Sequence, residues 1–112
     1  MESVRQSKVA KLIQKELAEI FRSEARNMFN GAFITVTVVR ISADLSVARV
    51  YLSIMGTKDA PAVLKLVQTQ SFKIRKMLAA IVKKQLRITP ELNYFIDDSL
   101  DYADKIDQLL KK

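Results

Sequence analysis

The chain contains neither cysteine nor histidine, and this double absence excludes more chemistry than any other feature of its 112 residues. Without cysteine there is no disulfide framework, no thiolate metal site and no thiol nucleophile. Without histidine the usual general base and the commonest metal ligand are missing, so any catalysis would fall to carboxylates, lysines or tyrosines and an enzyme is not expected. Glycine and proline are sparse, at two of each, and Gly31 and Gly56 stand too far apart to form a phosphate-cradling loop. A hydrophobic content of 49% with so few chain breakers is that of a folded domain, not a disordered one. No apolar run approaches the length of a bilayer span and no apolar signal core follows the N-terminus, while Glu16, Glu19 and Glu24 argue against a transit peptide. A single cytoplasmic domain over residues 1–112 is expected, large enough to bury roughly 65% of its unfolded surface.

What is abundant is positive charge, and it is concentrated. Residues 57–89 hold eight Lys or Arg against one acid, whereas the rest of the chain has eleven of each sign, so the whole net charge of +7 resides in that stretch. Asp59 suits a helix cap and Pro61 a first helical turn. The polar run Gln68-Thr-Gln-Ser71 then interrupts the apolar repeat and predicts a break between two helices. In the second helix, expected to run as far as Pro90, Lys73, Lys76, Ala80, Lys83 and Arg87 form one stripe. Ile74, Met77, Leu78, Ile81 and Val82 gather on the roughly opposite, core-facing side. A single-sign stripe of this kind is what a phosphate backbone selects. With a sequence pI near 9.8, nucleic acid is the expected partner ahead of an anionic membrane.

Around this segment the pattern predicts further elements. Val9, Leu12, Ile13, Leu17, Ile20 and Phe21 recur at helical spacing from Ser3 to about Ser23, with Arg5, Lys8, Lys11 and Lys15 on the polar side, able to extend a basic surface. Turn-prone Asn27 to Gly31 precede a β-branched strand, Phe33–Ile41. A short link, Ser42 to Ser46, requires the next strand, Val47–Met55, to pair with it antiparallel. After Pro90, Leu92 to Ile96 alternate as a third strand with Leu92, Tyr94 and Ile96 on one side, and a short helix from Ser99 or Asp101 to Leu110 closes the chain. The fold class expected is α+β in two layers, α-β-β-α-α-β with a three-stranded sheet, helices on one face and a short C-terminal helix.

Other constellations are weak. Asp97, Asp98, Asp101, Asp104 and Asp107 lack the spacing of a calcium loop and read as helix-start charges, so no metal or other cofactor is expected. Tyr51, Tyr94, Phe72 and Phe95 could stack on bases but are each expected in the core.

Taken together, the element order resembles the type II KH domain, an RNA-binding fold. The hairpin Val36 to Met55 with its Ala43-Asp-Leu-Ser-Val-Ala-Arg-Val-Tyr-Leu-Ser-Ile54 centre, the run Ile74-Arg-Lys-Met-Leu78, and Leu86-Arg-Ile-Thr-Pro-Glu-Leu-Asn-Tyr-Phe-Ile-Asp-Asp-Ser99 are similar to the bacterial ribosome-binding factor A family over nearly the whole chain. Where that family has an Ala-x-Gly kink between its central helices, this sequence has Gln70-Ser71-Phe72. The resemblance implies a non-enzymatic assembly factor. It would bind the free or immature 30S small ribosomal subunit and 16S rRNA near its 5′ end, assist late maturation and rRNA processing, and support growth in the cold. Ribosomal proteins and a GTPase assisting release are further partners the resemblance leaves open. The residues expected to meet RNA are Lys73, Arg75, Lys76, Lys83, Lys84 and Arg87, chiefly at phosphates. The alternative is a protein-interaction module whose basic helix docks an acidic partner. No heptads are present to suggest more than a monomer.

Overall fold

The computed structural model describes residues 3–97. The expected C-terminal helix and the aspartates from Asp98 onward lie outside the described residues. Helix α1, Val4–Ser23, begins at a capping box: the Ser3 hydroxyl accepts the Gln6 N–H at 3.1 Å and the Gln6 side-chain oxygen accepts the Ser3 N–H at 2.8 Å. Its inner face buries Val9, Ala10, Ile13, Leu17, Ile20 and Phe21. A short helix that the sequence pattern did not announce, α2, Ala25–Met28, follows directly. The chain then turns through Asn30 (φ 54°) and Gly31 (φ 80°), left-handed conformations that asparagine and glycine adopt most readily.

Strands β1, Phe33–Ile41, and β2, Val47–Met55, form the expected antiparallel hairpin. Its turn is tied by Asp44, whose Oδ1 accepts the Ser42 and Ser46 hydroxyls at 2.7 Å each and the Ser46 N–H at 3.1 Å. These bonds hold the Asp44 carboxyl at a pKa of about 2. Helices α3, Ala60–Thr69, and α4, Ser71–Val82, then carry the chain to β3, Glu91–Ile96, which lies parallel to β2 on the side away from β1.

Helices cover one face of the sheet. Ile34, Val36, Val39 and Ile41 from β1, Ala48, Val50 and Leu52 from β2, and Leu92 and Tyr94 from β3 meet α1, α3 and α4 in one core. Phe21 is fully buried at its centre, tilted against Phe29 and edge-on to Tyr94. The Tyr94 hydroxyl is buried without a well-formed hydrogen bond to any described residue, and that burial pushes its pKa up, offset only in part by nearby Ser71. Both free sheet edges are met by glutamine amides, which blunt them against pairing with another chain. On α1, Gln6 donates to the Ile41 carbonyl at 3.0 Å and Gln14 to those of Val36 and Thr37 at 3.2 Å. On α3, Gln68 donates to the Tyr94 carbonyl at 3.3 Å.

No described element covers the second face. There Tyr51, half-buried, stacks on Phe95 with ring centroids 5.5 Å apart, and Phe95 is 42% exposed. Of the four aromatics expected in the core, only Tyr94 is buried. Phe72 is 80% exposed and Phe95 faces out because strand alternation puts it on the uncovered side.

Truncating Phe21→Ala should lower stability by about 3–5 kcal/mol, read as a lower denaturant midpoint at unchanged slope. Tyr94→Phe should leave the midpoint unchanged or raise it, because the deleted hydroxyl has no well-formed bond to lose. The turn should be acid-sensitive in a defined window. The folded pKa of Asp44 lies below its unfolded value near 3.9, so its contribution is complete above about pH 4 and disappears as pH falls through 2. The Ser46 amide, followed by NMR, should titrate with a midpoint near 2 and lose that transition in Asp44→Asn.

Candidate nucleic-acid interface

Helix α3 starts as its residues dictate. The Asp59 side chain accepts the Ala62 N–H at 3.1 Å, and Pro61 occupies the first turn. Its end falls at Thr69, within the polar run. Gln70 is the single residue between the helices (φ −96°, ψ 13°), and its amide is anchored to the Met28 carbonyl at 2.8 Å. Ser71 opens α4, and Phe72 projects into solvent. Of the expected break residues Gln70, Ser71 and Phe72, Gln70 alone lies between the helices, and Ser71 and Phe72 are the first two residues of α4. With side chains at all three positions, backbone there cannot approach a phosphate as closely as a glycine loop can.

The core side of α4 is narrower than the sequence pattern suggests. Ile74, Leu78 and Val82, four residues apart, are fully buried, while Met77 is partly buried and Ile81 is 45% exposed. Lys73 and Lys76 lie exposed on the side away from this seam. The helix also ends earlier than expected, at Val82 instead of near Pro90. The carbonyl of Val82 takes the N–H groups of both Gln85 and Leu86, at 2.9 and 2.8 Å, closing a last turn. Leu86 then packs back on the core and Pro90 is fully buried, so the chain must leave the helix axis to reach β3. Lys83, Lys84 and Arg87 accordingly sit at the end of α4 and in the segment after it, all exposed.

Arg75 has a different position from its neighbours. Its Nε donates to the Pro90 carbonyl at 3.1 Å and its Nη2 to the Thr89 carbonyl at 2.6 Å. It ties the 83–90 segment to α4, and so helps position Lys83, Lys84 and Arg87. Lys73, Lys76, Lys83, Lys84 and Arg87 make no hydrogen bond or ion pair with another described residue; Arg22 with Glu19 is the one salt bridge found among them. Five cations with no acidic partner among the described residues thus lie along α4 and its exit.

Two further cations join them. Arg5 and Lys8, at the start of α1, line the same cleft as Arg87. Helical spacing placed both on the polar face of α1, but no local signal links the first turn of the chain to residue 87. Their proximity arises from the packing of α1 on α4. Among the described residues no cluster of three or more acidic, histidine or cysteine side chains is placed to hold a metal ion, and no helix is long and apolar enough to cross a membrane.

A family model described as "Ribosome-binding factor A" matches residues 5–110. The ribosome-binding factor A of Cytophaga hutchinsonii is 51% identical over 112 residues, covering 100% of this chain and 84% of that protein. The crystal structure of ribosome-binding factor A from Thermus thermophilus superposes with a TM-score of 0.68 at 22% identity, covering 81% of this chain and 94% of that one. A homology model of the Thermus thermophilus protein, fitted into a cryo-EM map of a 30S complex, gives a TM-score of 0.64 at 23% identity, with 88% and 97% covered. At such identities the structural likeness carries the fold, which is the α+β arrangement expected.

Arg75→Gln should lower stability by roughly 1 kcal/mol and speed amide exchange around residues 83–89, because two carbonyls lose a charged donor. Lys76→Gln, which breaks no bond, should stay within about 0.5 kcal/mol of the parent.

Proposed function

Because the chain belongs to the ribosome-binding factor A family, we propose that it binds the immature 30S small ribosomal subunit through 16S rRNA and assists late subunit maturation without catalysing a reaction. The observation that carries this reading is the row of exposed cations along α4 and its exit, Lys73, Lys76, Lys83, Lys84 and Arg87, none of which is paired with another described residue. Such a row meets phosphates in whatever order the bases come, so the choice of site comes from RNA shape and neighbouring ribosomal proteins. The relative fitted into a map of a 30S complex supports the same subunit as the partner. The finer role we infer is action near the 5′ end of 16S rRNA, support of its processing, and a requirement that is strongest in the cold.

A second reading is favoured by Phe72 and Ile81, apolar and exposed beside those cations: a protein partner with acidic side chains. Co-sedimentation with subunits that survives complete RNase digestion would favour that protein partner.

Changing Lys76, Lys83 and Arg87 to Gln should leave thermal unfolding close to that of the parent and weaken binding to most RNA sequences alike. The slope of log affinity against log salt should become shallower by roughly 0.7 per lost contact on single strands, or 0.9 on duplex. Changing Lys105, Lys111 and Lys112 instead removes the same formal charge. Equal losses in the two triple variants would mean that total charge matters and the row does not.

A further inference from the structure

The cleft that Arg87 shares with α1 is more than an extension of the basic surface. Its volume is about 660 Å³, and it lies where the start of α1, the β1–β2 turn and the segment after α4 converge. That volume is within the range of small-ligand sites, roughly 300–1,000 Å³. Three cations line it, Arg5, Lys8 and Arg87, against one acid, Asp44, whose Oδ1 is already engaged by Ser42 and Ser46.

The rest of the lining is chiefly apolar, and some of it is conspicuous. Val4 and Ile88 are 73% and 72% exposed, so neither is there for the core. Leu45 holds φ 63°, a left-handed conformation that asparagine or glycine adopts with less strain, and it packs in part against the core while also lining the cleft. A bare anion would leave the apolar lining unused, and a purely apolar ligand would have no need of three cations. A nucleotide uses both, and the cations of the α4 exit lead RNA directly to Arg87.

We propose that this cleft is a pocket for one unstacked nucleotide of single-stranded RNA, its base lying against Val4, Leu45 and Ile88 and its flanking phosphates meeting Arg5, Lys8 and Arg87. This rests on the RNA-binding reading of α4 and adds to it a contact with a base. The pocket is aliphatic, so a base enters it by leaving the RNA stack and meets no aromatic ring there.

The experiment uses the full chain and a short unstructured single-stranded RNA carrying one 2-aminopurine, whose fluorescence is quenched by stacking. Binding should raise the fluorescence. Val4→Ala with Ile88→Ala should weaken binding about tenfold and abolish the rise, while leaving the salt slope and thermal unfolding unchanged, since apolar area is lost and no phosphate contact is. Arg5→Gln with Lys8→Gln should instead flatten the salt slope. RNA bound at parental affinity with no rise at any labelled position would overturn the pocket while leaving the α4 reading intact. Parental binding by the Val4/Ile88 variant, or competition by inorganic polyphosphate equal to that of RNA of the same charge, would do the same. Displacement of the base by an acidic, apolar peptide that binds more tightly than RNA would assign the cleft to a protein partner. No RNA binding by the parent at all would remove the α4 reading first and the pocket with it.

Discussion

Most of this structure follows from one pairing: β3 lies parallel to β2. A parallel neighbour cannot be reached by a tight turn, so the chain must cross the sheet and return in the same direction. Helices α3 and α4 are that crossing, and their apolar residues Val63, Val67, Ile74, Leu78 and Val82 are buried on the sheet's inner face. Once this seam of α4 faces inward, Lys73 and Lys76 on its far side must face out. The basic surface is therefore a by-product of how β3 is delivered to its place, and its exposed lysines carry none of the packing.

The same crossing explains why the cations do not end with the helix. To enter β3 beside β2, the chain has to leave the α4 axis after Val82, fold Leu86 back onto the core and bury Pro90. This exit could be loose, but Arg75 bonds to the carbonyls of Thr89 and Pro90 and gives it a defined course. One of the basic residues in the segment is thus a structural tether, and its charge is partly committed to backbone dipoles. Lys83, Lys84 and Arg87 have no partner among the described residues, and Arg87 is brought to the first turn of α1, where Arg5 and Lys8 lie. Arg5, Lys8 and Arg87 therefore border one cleft although they are far apart in the chain.

The elements themselves were legible because their signals are local. Strands β1 and β2 announce themselves through β-branched runs, Asp59 and Pro61 mark the start of α3, and the polar run at Gln68 to Ser71 marks the break. The end of α4 was not legible. Nothing in Lys83-Lys-Gln-Leu-Arg87 opposes a helix, and it stops because the buried places of Leu86 and Pro90 lie off its axis. Exposure of Phe95 was hidden for a related reason: alternation separates two faces of a strand but does not say which face will be covered, or whether both will.

The amino-acid sequence by itself determined where the three strands and the long helices begin, that the net charge lies between residues 57 and 89, and that thiol and imidazole chemistry is impossible here. These are consequences of composition, short-range periodicity and capping, which each residue carries wherever the chain goes. Only the tertiary structure decided that Arg75 tethers a loop, that Ile81 is left half in solvent, and that Arg5, Lys8, Leu45 and Arg87 border one cleft. Those outcomes depend on which element packs against which, and that is set by burying the whole apolar surface at once, a condition no local stretch of residues can express.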